Sequence, residues 1–148
     1  MAKRIVVLGA GISGVGAAVL AKKKGFEVFV SDKGTITDEN KAVLLNNEIE
    51  WEDGKHTYEQ ILNADEVIKS PGIPDTASIL TPLRDHGSEI ISEIEFASRY
   101  SKGKVVAITG ANGKTTTTAL IHRLLTDAGV NAACVGNIGT SWARDIAE

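Results

Sequence analysis

The chain has 148 residues, enough for one domain, or one and part of another, at about 100–200 residues per domain. Its 16 Lys+Arg against 19 Asp+Glu give a formal net charge of −3 with no basic block, which excludes nucleic-acid binding by charge alone. A single cysteine, Cys134, excludes an intrachain disulfide, and 24% charged with 43% hydrophobic residues is a globular rather than a disordered balance.

The first apolar run, residues 5–8, is too short for the core of a signal peptide and reads instead as a strand buried on both faces of a parallel sheet. No stretch approaches the ~20 apolar residues that span a bilayer, so a cytoplasmic location is expected. Residues 13–24 have helical spacing, with lysines in the last turn and Gly25 placed to end the helix. A second strand, residues 26–31, ends at Asp32. Residues 37–47 predict a helix, 49–51 a short strand, 58–63 a short helix and 66–70 another strand, broken by Pro71-Gly72. Residues 78–86 predict a helix that Pro82 must start or kink, and 90–91 belong to a short strand.

Ser92 and Glu95 have the spacing of a capping box, which opens a helix to about residue 100. A strand over 105–109, a glycine-bearing loop and a helix over 115–127 follow. Residues 132–135 predict one more strand, and a helix starts near residue 141. Strands alternating with helices imply parallel βαβ units and an α/β fold. His56, His86 and His122 lack metal-ligand spacing and read as surface residues, and Cys134, in an apolar run, reads as core.

Two loops carry the chemistry. Gly9-Ala10-Gly11-Ile12-Ser13-Gly14 follows a strand and opens a helix, as the GxGxxG fingerprint requires. Its glycines let backbone approach a ligand, and the helix start favours an anion such as pyrophosphate. Asp32 stands where an acid meets a ribose hydroxyl. A turn needed only for close helix–strand packing is the plainer alternative. The second loop, Gly110-Ala111-Asn112-Gly113-Lys114-Thr115, keeps the Gly-Lys-Thr end of a Walker A motif, but Ile108 stands where its first glycine belongs. The mechanics survive in this shorter form. Backbone N–H groups cradle phosphate, Lys114 supplies a point charge, Thr115 Oγ can ligate Mg²⁺, and Thr116 can also reach a phosphate. Ser70-Pro71-Gly72 and Gly136-Asn137-Ile138-Gly139 follow strands in equivalent places, and each, taken alone, is as readily a plain turn.

In that order, the GxGxxG loop, Asp32, Ser70-Pro71-Gly72-Ile73, Glu93-Ile94-Glu95, the residues Ile108-Thr109-Gly110-Ala111-Asn112-Gly113-Lys114-Thr115-Thr116 and Gly136-Asn137-Ile138-Gly139 resemble the Mur ligases of peptidoglycan synthesis. Asn112, where the alanine-adding branch carries a histidine, makes the chain most similar to the D-glutamate-adding branch. The resemblance implies a Rossmann-like domain over residues 1–91 that holds a UDP substrate, and the start of a P-loop ATPase domain over 92–148. It assigns Gly11, Ile12, Ser13, Asp32, Lys33, Ser70, Pro71, Gly72 and Asn137 to UDP-N-acetylmuramoyl-L-alanine. It assigns Gly110, Ala111, Asn112, Gly113, Lys114, Thr115 and Thr116 to ATP, with Lys114 and Thr115 catalytic and Thr115 on Mg²⁺.

The implied reaction makes an acyl phosphate from ATP and the substrate carboxylate, which the amine of D-glutamate then attacks. The family's further metal ligands, carbamylated lysine and D-glutamate domain would lie beyond Glu148, so the chain is expected to be an N-terminal piece, inactive alone, whose exposed sheet edges in the second part pair with another chain. Two other readings remain open to the sequence. An NAD-dependent oxidoreductase rests on GxGxxG and Asp32 alone, and a non-catalytic UDP-sugar or nucleotide-binding module on the loops without the chemistry.

Overall fold

The computed structural model describes residues 2–148. Five strands, β1 (Arg4–Leu8), β2 (Glu27–Ser31), β3 (Glu50–Glu52), β4 (Glu66–Lys69) and β5 (Glu89–Ser92), form one sheet in the order β3-β2-β1-β4-β5. Every pair is parallel, and β1 aligns Ile5 with Val28 on one side and with Glu66 on the other. This is the α/β architecture that the alternation of strands and helices predicts. The chain runs outward from β1 to β3, then returns to place β4 on β1's other side. The strand order therefore reverses between β1 and β4, the place where open α/β sheets bind ligands.

The helices are α1 (Ile12–Lys23), α2 (Asp38–Asn46), α3 (Tyr58–Ile61), α4 (Leu80–Asp85), α5 (Glu93–Ser98), α6 (Lys114–Asp127) and α7 (Trp142–Ala147). Residues 5–8 are all fully buried, and they alternate between two cores. Ile5 and Val7 join the core beneath α1, with Val15, Leu20, Leu44 and Phe96. Val6 and Leu8 join the opposite core, with Ile61, Leu80 and Leu83 from α3 and α4. Burial on both faces explains why the strand reads as a continuous apolar run rather than an alternating one. Pro82 sits in the first turn of α4, where a missing N–H costs nothing.

Core packing does not stop at β5. Phe96 and Ala97 of α5 and Ala143 and Ala147 of α7 are buried in the α1 core. Ser92 Oγ caps α5 by accepting from Glu95 N at 3.1 Å. Arg99, just past α5, pairs with the buried Glu66 at the start of β4, and that carboxylate holds the guanidinium's pKa up. A side chain at Gly16 would put its Cβ 2.1 Å from Ser141 Oγ, so the glycine is the notch that lets α7 seat on α1. The buried Glu93 carboxylate accepts from Ser141 Oγ at 2.8 Å and from Ala143 N at 2.7 Å, fixing the start of α7.

Two predicted strands do not form. Residues 105–109 carry no ladder, with Val105 and Val106 more than half exposed, and residues 132–135 reach only an isolated bridge between Val135 and Thr140. A strand exists only against a neighbour, and neither run pairs with the sheet's edge strands β3 and β5. The expected strand–P-loop–helix unit is therefore a loop and helix α6, none of whose residues is buried. Cys134 is half-buried rather than core.

Candidate functional site

A cleft of about 830 Å³ opens at the carboxyl ends of the strands. Its floor is the β1–α1 loop. Gly9, at φ +88°, donates its N–H to Ser31 O at 2.9 Å, and its carbonyl accepts from Ser70 Oγ at 3.2 Å. Gly14 lies so close beneath this loop that a Cβ there would stand 1.8 Å from Gly9 O. Gly11 is the N-cap of α1 and has nothing within 4 Å of where a Cβ would be. With no side-chain cap and no acid in the first turn, the N-terminal N–H groups of α1 stay uncompensated, an arrangement that favours an anion. Ile12 is 73% exposed beside them, a large apolar side chain left open at the cleft.

Asp32 is already engaged. Its carboxylate accepts from Ala10 N at 2.6 Å and from Gly34 N at 2.7 Å, joining the end of β2 to the first loop. Its remaining lone pairs and the adjacent Lys33 line the cleft. On the other side, Lys69 Nζ donates to Ile73 O at 2.6 Å and pairs with Asp75 at 3.2 Å, which holds the Ser70-Pro71-Gly72 turn across the mouth. Gly11, Ile12, Ser13, Asp32, Lys33, Ser70, Pro71 and Gly72 thus line one cleft. Asn137 is exposed and does not line it.

The segment after β3 also lines the cleft, and it was not singled out from the sequence. Gly54, Lys55, His56 and Tyr58 contribute to the wall, and Ile73, Pro74 and Ala77 add an apolar patch. His56 is half-buried, not a surface residue, and its Nδ1 lies 2.7 Å from Ser31 Oγ. Ser31 Oγ in turn donates to Glu52 Oε1 at 2.7 Å. Burial pushes the His56 pKa down, more than the Glu52 and Asp32 charges raise it. Burial would raise the Glu52 pKa, but hydrogen bonds from Thr57 and Ser31 and the charge of Lys55 together hold it below the ordinary value. The signal for this wall was positional. β3 pairs with β2, so the loop after it sits beside Asp32 at the same sheet edge.

The second loop is a separate, open feature. Gly110, Ala111, Asn112, Gly113, Lys114, Thr115 and Thr116 are all exposed and outside the cleft. Gly113 takes the left-handed conformation at φ +76° and is the N-cap of α6. Lys114 Nζ donates to the carbonyls of Gly110 and Ala111 and so folds over its own loop. Thr115 Oγ has no protein partner among the described residues, which leaves it available to a metal. No group of three His, Cys, Asp or Glu among the described residues could hold a metal, and no described helix is long and apolar enough to cross a membrane. A lone hydroxyl fits Mg²⁺ only where nucleotide phosphates and water supply the other ligands, the usual arrangement for that ion.

Comparison with known proteins gives a consistent set of relatives. A model of the MurD N-terminal domain matches residues 4–79. The UDP-N-acetylmuramoylalanine–D-glutamate ligase of Bacteroides fragilis is 60% identical over 146 residues, 99% of this chain and 33% of that protein. Its counterpart in Christiangramia forsetii is 55% identical over 148 residues, 100% of this chain and 33% of that protein. The chain spans about a third of the length of these curated relatives. Among solved structures, a murein peptide ligase from Psychrobacter arcticus superposes with a TM-score of 0.63 at 26% identity, over 86% of this chain and 27% of that one. The UDP-N-acetylmuramate–alanine ligase of Thermotoga maritima gives 0.58 at 26% identity, over 87% and 30%.

Proposed function

This chain belongs to the MurD N-terminal domain family, and from that premise we propose that it is the UDP-substrate-binding part of an ATP-dependent ligase that joins D-glutamate to UDP-N-acetylmuramoyl-L-alanine. The observation that supports this reading is the convergence of Gly11–Ser13, Asp32 and the Ser70–Gly72 turn on one cleft at the sheet's switch point. The pyrophosphate would sit on the uncapped start of α1. The nucleoside would run outward past Asp32 and Lys33. The Ser70–Gly72 turn would close over the phosphates from the β4 side.

In the whole ligase the γ-phosphoryl group of ATP would pass to the substrate carboxylate, releasing ADP. The amine of D-glutamate would then attack the acyl carbon, and inorganic phosphate would leave as the amide forms. Residues 92–148 carry the part of the ATP site present in this chain. The backbone from Gly110 to Gly113 would cradle phosphate oxygens, and Lys114 would leave its loop carbonyls to neutralise their charge. Thr115 Oγ would hold Mg²⁺ at the nucleotide, where the metal supplies further charge neutralisation, and Thr116 would reach a phosphate. Asn137, exposed here, would meet the substrate from that second part. Because these residues lie outside the cleft, UDP binding by the chain should not require ATP.

Isothermal titration of the chain with UDP, NAD+ and ATP tests the reading. The expected result is UDP binding that NAD+ does not compete away. Tight NAD+ binding with no affinity for UDP would sink it.

A further inference from the structure

Two successive peptide units of the first loop are tied down in different ways. A trans peptide points its C=O and its N–H to opposite sides, and the described residues contain no cis bond. In the unit joining Gly9 to Ala10 both ends have partners. Ser70 Oγ donates to Gly9 O at 3.2 Å from the β4 side, and Ala10 N donates to Asp32 Oδ2 at 2.6 Å on the β2 side. In the next unit, joining Ala10 to Gly11, only one end is tied. Asn40 Nδ2 donates to Ala10 O at 2.8 Å, and because a carbonyl can only accept, the atom facing it is the amide nitrogen. The Gly11 N–H at the other end has no partner among the described residues.

Burial follows the same division. Ala10 is 3% exposed and, like Asn40, does not line the cleft, whereas Gly11 is exposed and does. The tied carbonyl therefore faces α2, and the free N–H faces the opposite, open side at the start of α1. Asn40 is the third residue of α2, where a Glu or Gln would reach back to the helix's own N-cap. Its backbone N–H does donate to the Thr37 cap, at 3.3 Å, but its side chain crosses to the β1–α1 loop instead. Gly11 supplies the reason that a tie is needed. It sits at φ −74° with nothing within 4 Å of where a Cβ would be, so the packing asks for no glycine there. Without a Cβ the Ala10–Gly11 unit can turn over, through a positive φ that glycine accepts. A turned unit would present the Ala10 carbonyl to an anion, in place of a donor.

Resting on the reading of the cleft as a UDP site, we propose that Asn40 is a positioning residue for the substrate's phosphates: it latches the Ala10 carbonyl toward α2 and so keeps the Gly11 N–H directed at the pyrophosphate. The phosphates meet the N–H and not Asn40, which acts through the peptide unit alone. The competent orientation is then the one populated before the ligand arrives, and no affinity is lost in selecting it.

Two variants and two readouts test the latch. Asn40→Ala removes the donor, and Asn40→Asp keeps the shape but sets an acceptor against the Ala10 carbonyl. An acid in the first turn suits the helix dipole, so Asn40→Asp should keep α2 folded. In titration calorimetry both variants should bind UDP about fivefold more weakly than the unaltered chain, the worth of one hydrogen bond. Amide NMR spectra of the ligand-free protein separate the latch from loosened packing. The Gly11 amide should be a single sharp resonance in the unaltered chain and broadened by exchange in Asn40→Ala, with the amides of β1 and β4 unmoved. Unchanged UDP affinity in Asn40→Ala would overturn the proposal, as would weaker binding with the Gly11 amide still sharp and in place. Should Asn40→Ala fail to fold, by circular dichroism, Asn40→Asp decides by the same two readouts. An unaltered chain that does not bind UDP overturns the UDP reading of the cleft and this proposal with it, a result seen before any variant is made.

Discussion

The chain carries two glycine loops that open helices, and their surroundings differ sharply. Around Gly9–Gly14 the backbone is held from four directions. Ser31 O accepts from Gly9 N, Ser70 Oγ donates to Gly9 O, Asp32 accepts from Ala10 N, and Asn40 Nδ2 donates to Ala10 O at 2.8 Å. Around Gly110–Thr116 the bonds are local, from Lys114 to Gly110 and Ala111, from Thr117 N to Gly113 O at 2.9 Å and from Thr118 Oγ1 to Lys114 O at 2.8 Å. Both loops place glycine where positive φ is needed, at Gly9 and at Gly113. Local sequence is enough to specify such a loop and the helix start after it. The strands that would anchor it are specified only by their neighbours, and the second loop has none.

The largest expected effect tests the first loop's support. Gly14→Ala puts a methyl 1.8 Å from Gly9 O, a backbone atom that cannot swing aside. Helix α1 would have to lift from the sheet, at the upper end of or beyond the ~1–3 kcal/mol of ordinary overpacking. A thermal melt should show the cooperative transition broadened or lost. A melt that matches the unaltered chain would mean that the helix is not seated as tightly as the loop requires.

The second effect concerns how the two regions are joined. Helix α7 follows the second loop in sequence but is packed on α1, pinned by Glu93. Glu93→Ala leaves Ser141 Oγ and Ala143 N as buried donors without an acceptor, at about 1–3 kcal/mol for each group. Hydrogen exchange should report the loss of protection in α7, with β1 still protected. Glu93→Gln keeps an acceptor oxygen and should cost less. Equal exchange in α7 before and after Glu93→Ala would show that the Gly16 notch and apolar burial hold the helix unaided.

These two sites also show how much could be read in advance. The strand β1, the α1 start, Asp32 and the Ser70 turn were legible because each is marked by a local pattern: four apolar residues, a glycine spacing, an acid at a strand end. The wall around His56 was not, since its place depends on β3 pairing with β2, a long-range contact that a three-residue strand announces weakly. Residues 105–109 and 132–135 failed for the converse reason. Their composition suits strands, but composition supplies no partner. The docking of α7 was hidden as well, because Gly16 reads as part of the nucleotide loop's helix rather than as a seat for residues 125 positions later.

A smaller effect, confined to the first region, depends on pH. His56 has a folded pKa below its ordinary 6.5, because burial disfavours its charged form more than the Glu52 and Asp32 charges favour it. The unfolded chain therefore takes up this proton first, and stability falls as pH drops below about 6.5. Glu52 acts in the same direction at lower pH. Its folded pKa lies below 4.5, burial being outweighed by Thr57, Ser31 and Lys55, so its contribution is present above that value and is lost as pH falls through the folded one. Melting temperature against pH should decline in two stages, and His56→Asn should flatten only the first. A first stage unchanged in that variant would assign it to another group.

The smallest expected change in stability is at Lys114, and it tests the comparison most directly. The side chain is exposed and bonds only to two carbonyls of its own loop, in a region where α6 buries nothing. Lys114→Ala should therefore alter unfolding free energy by no more than about 0.5 kcal/mol, as for surface substitutions generally. Its effect on ligands should be selective: UDP affinity unchanged, and whatever ATP affinity the chain shows in the same titration abolished, because a phosphate cradle without its cation retains only backbone N–H groups. A loss of stability above about 1 kcal/mol would mean that Lys114 holds the second loop in shape, as Ser31, Asp32 and Ser70 hold the first, and the contrast between the two loops would narrow to one of position.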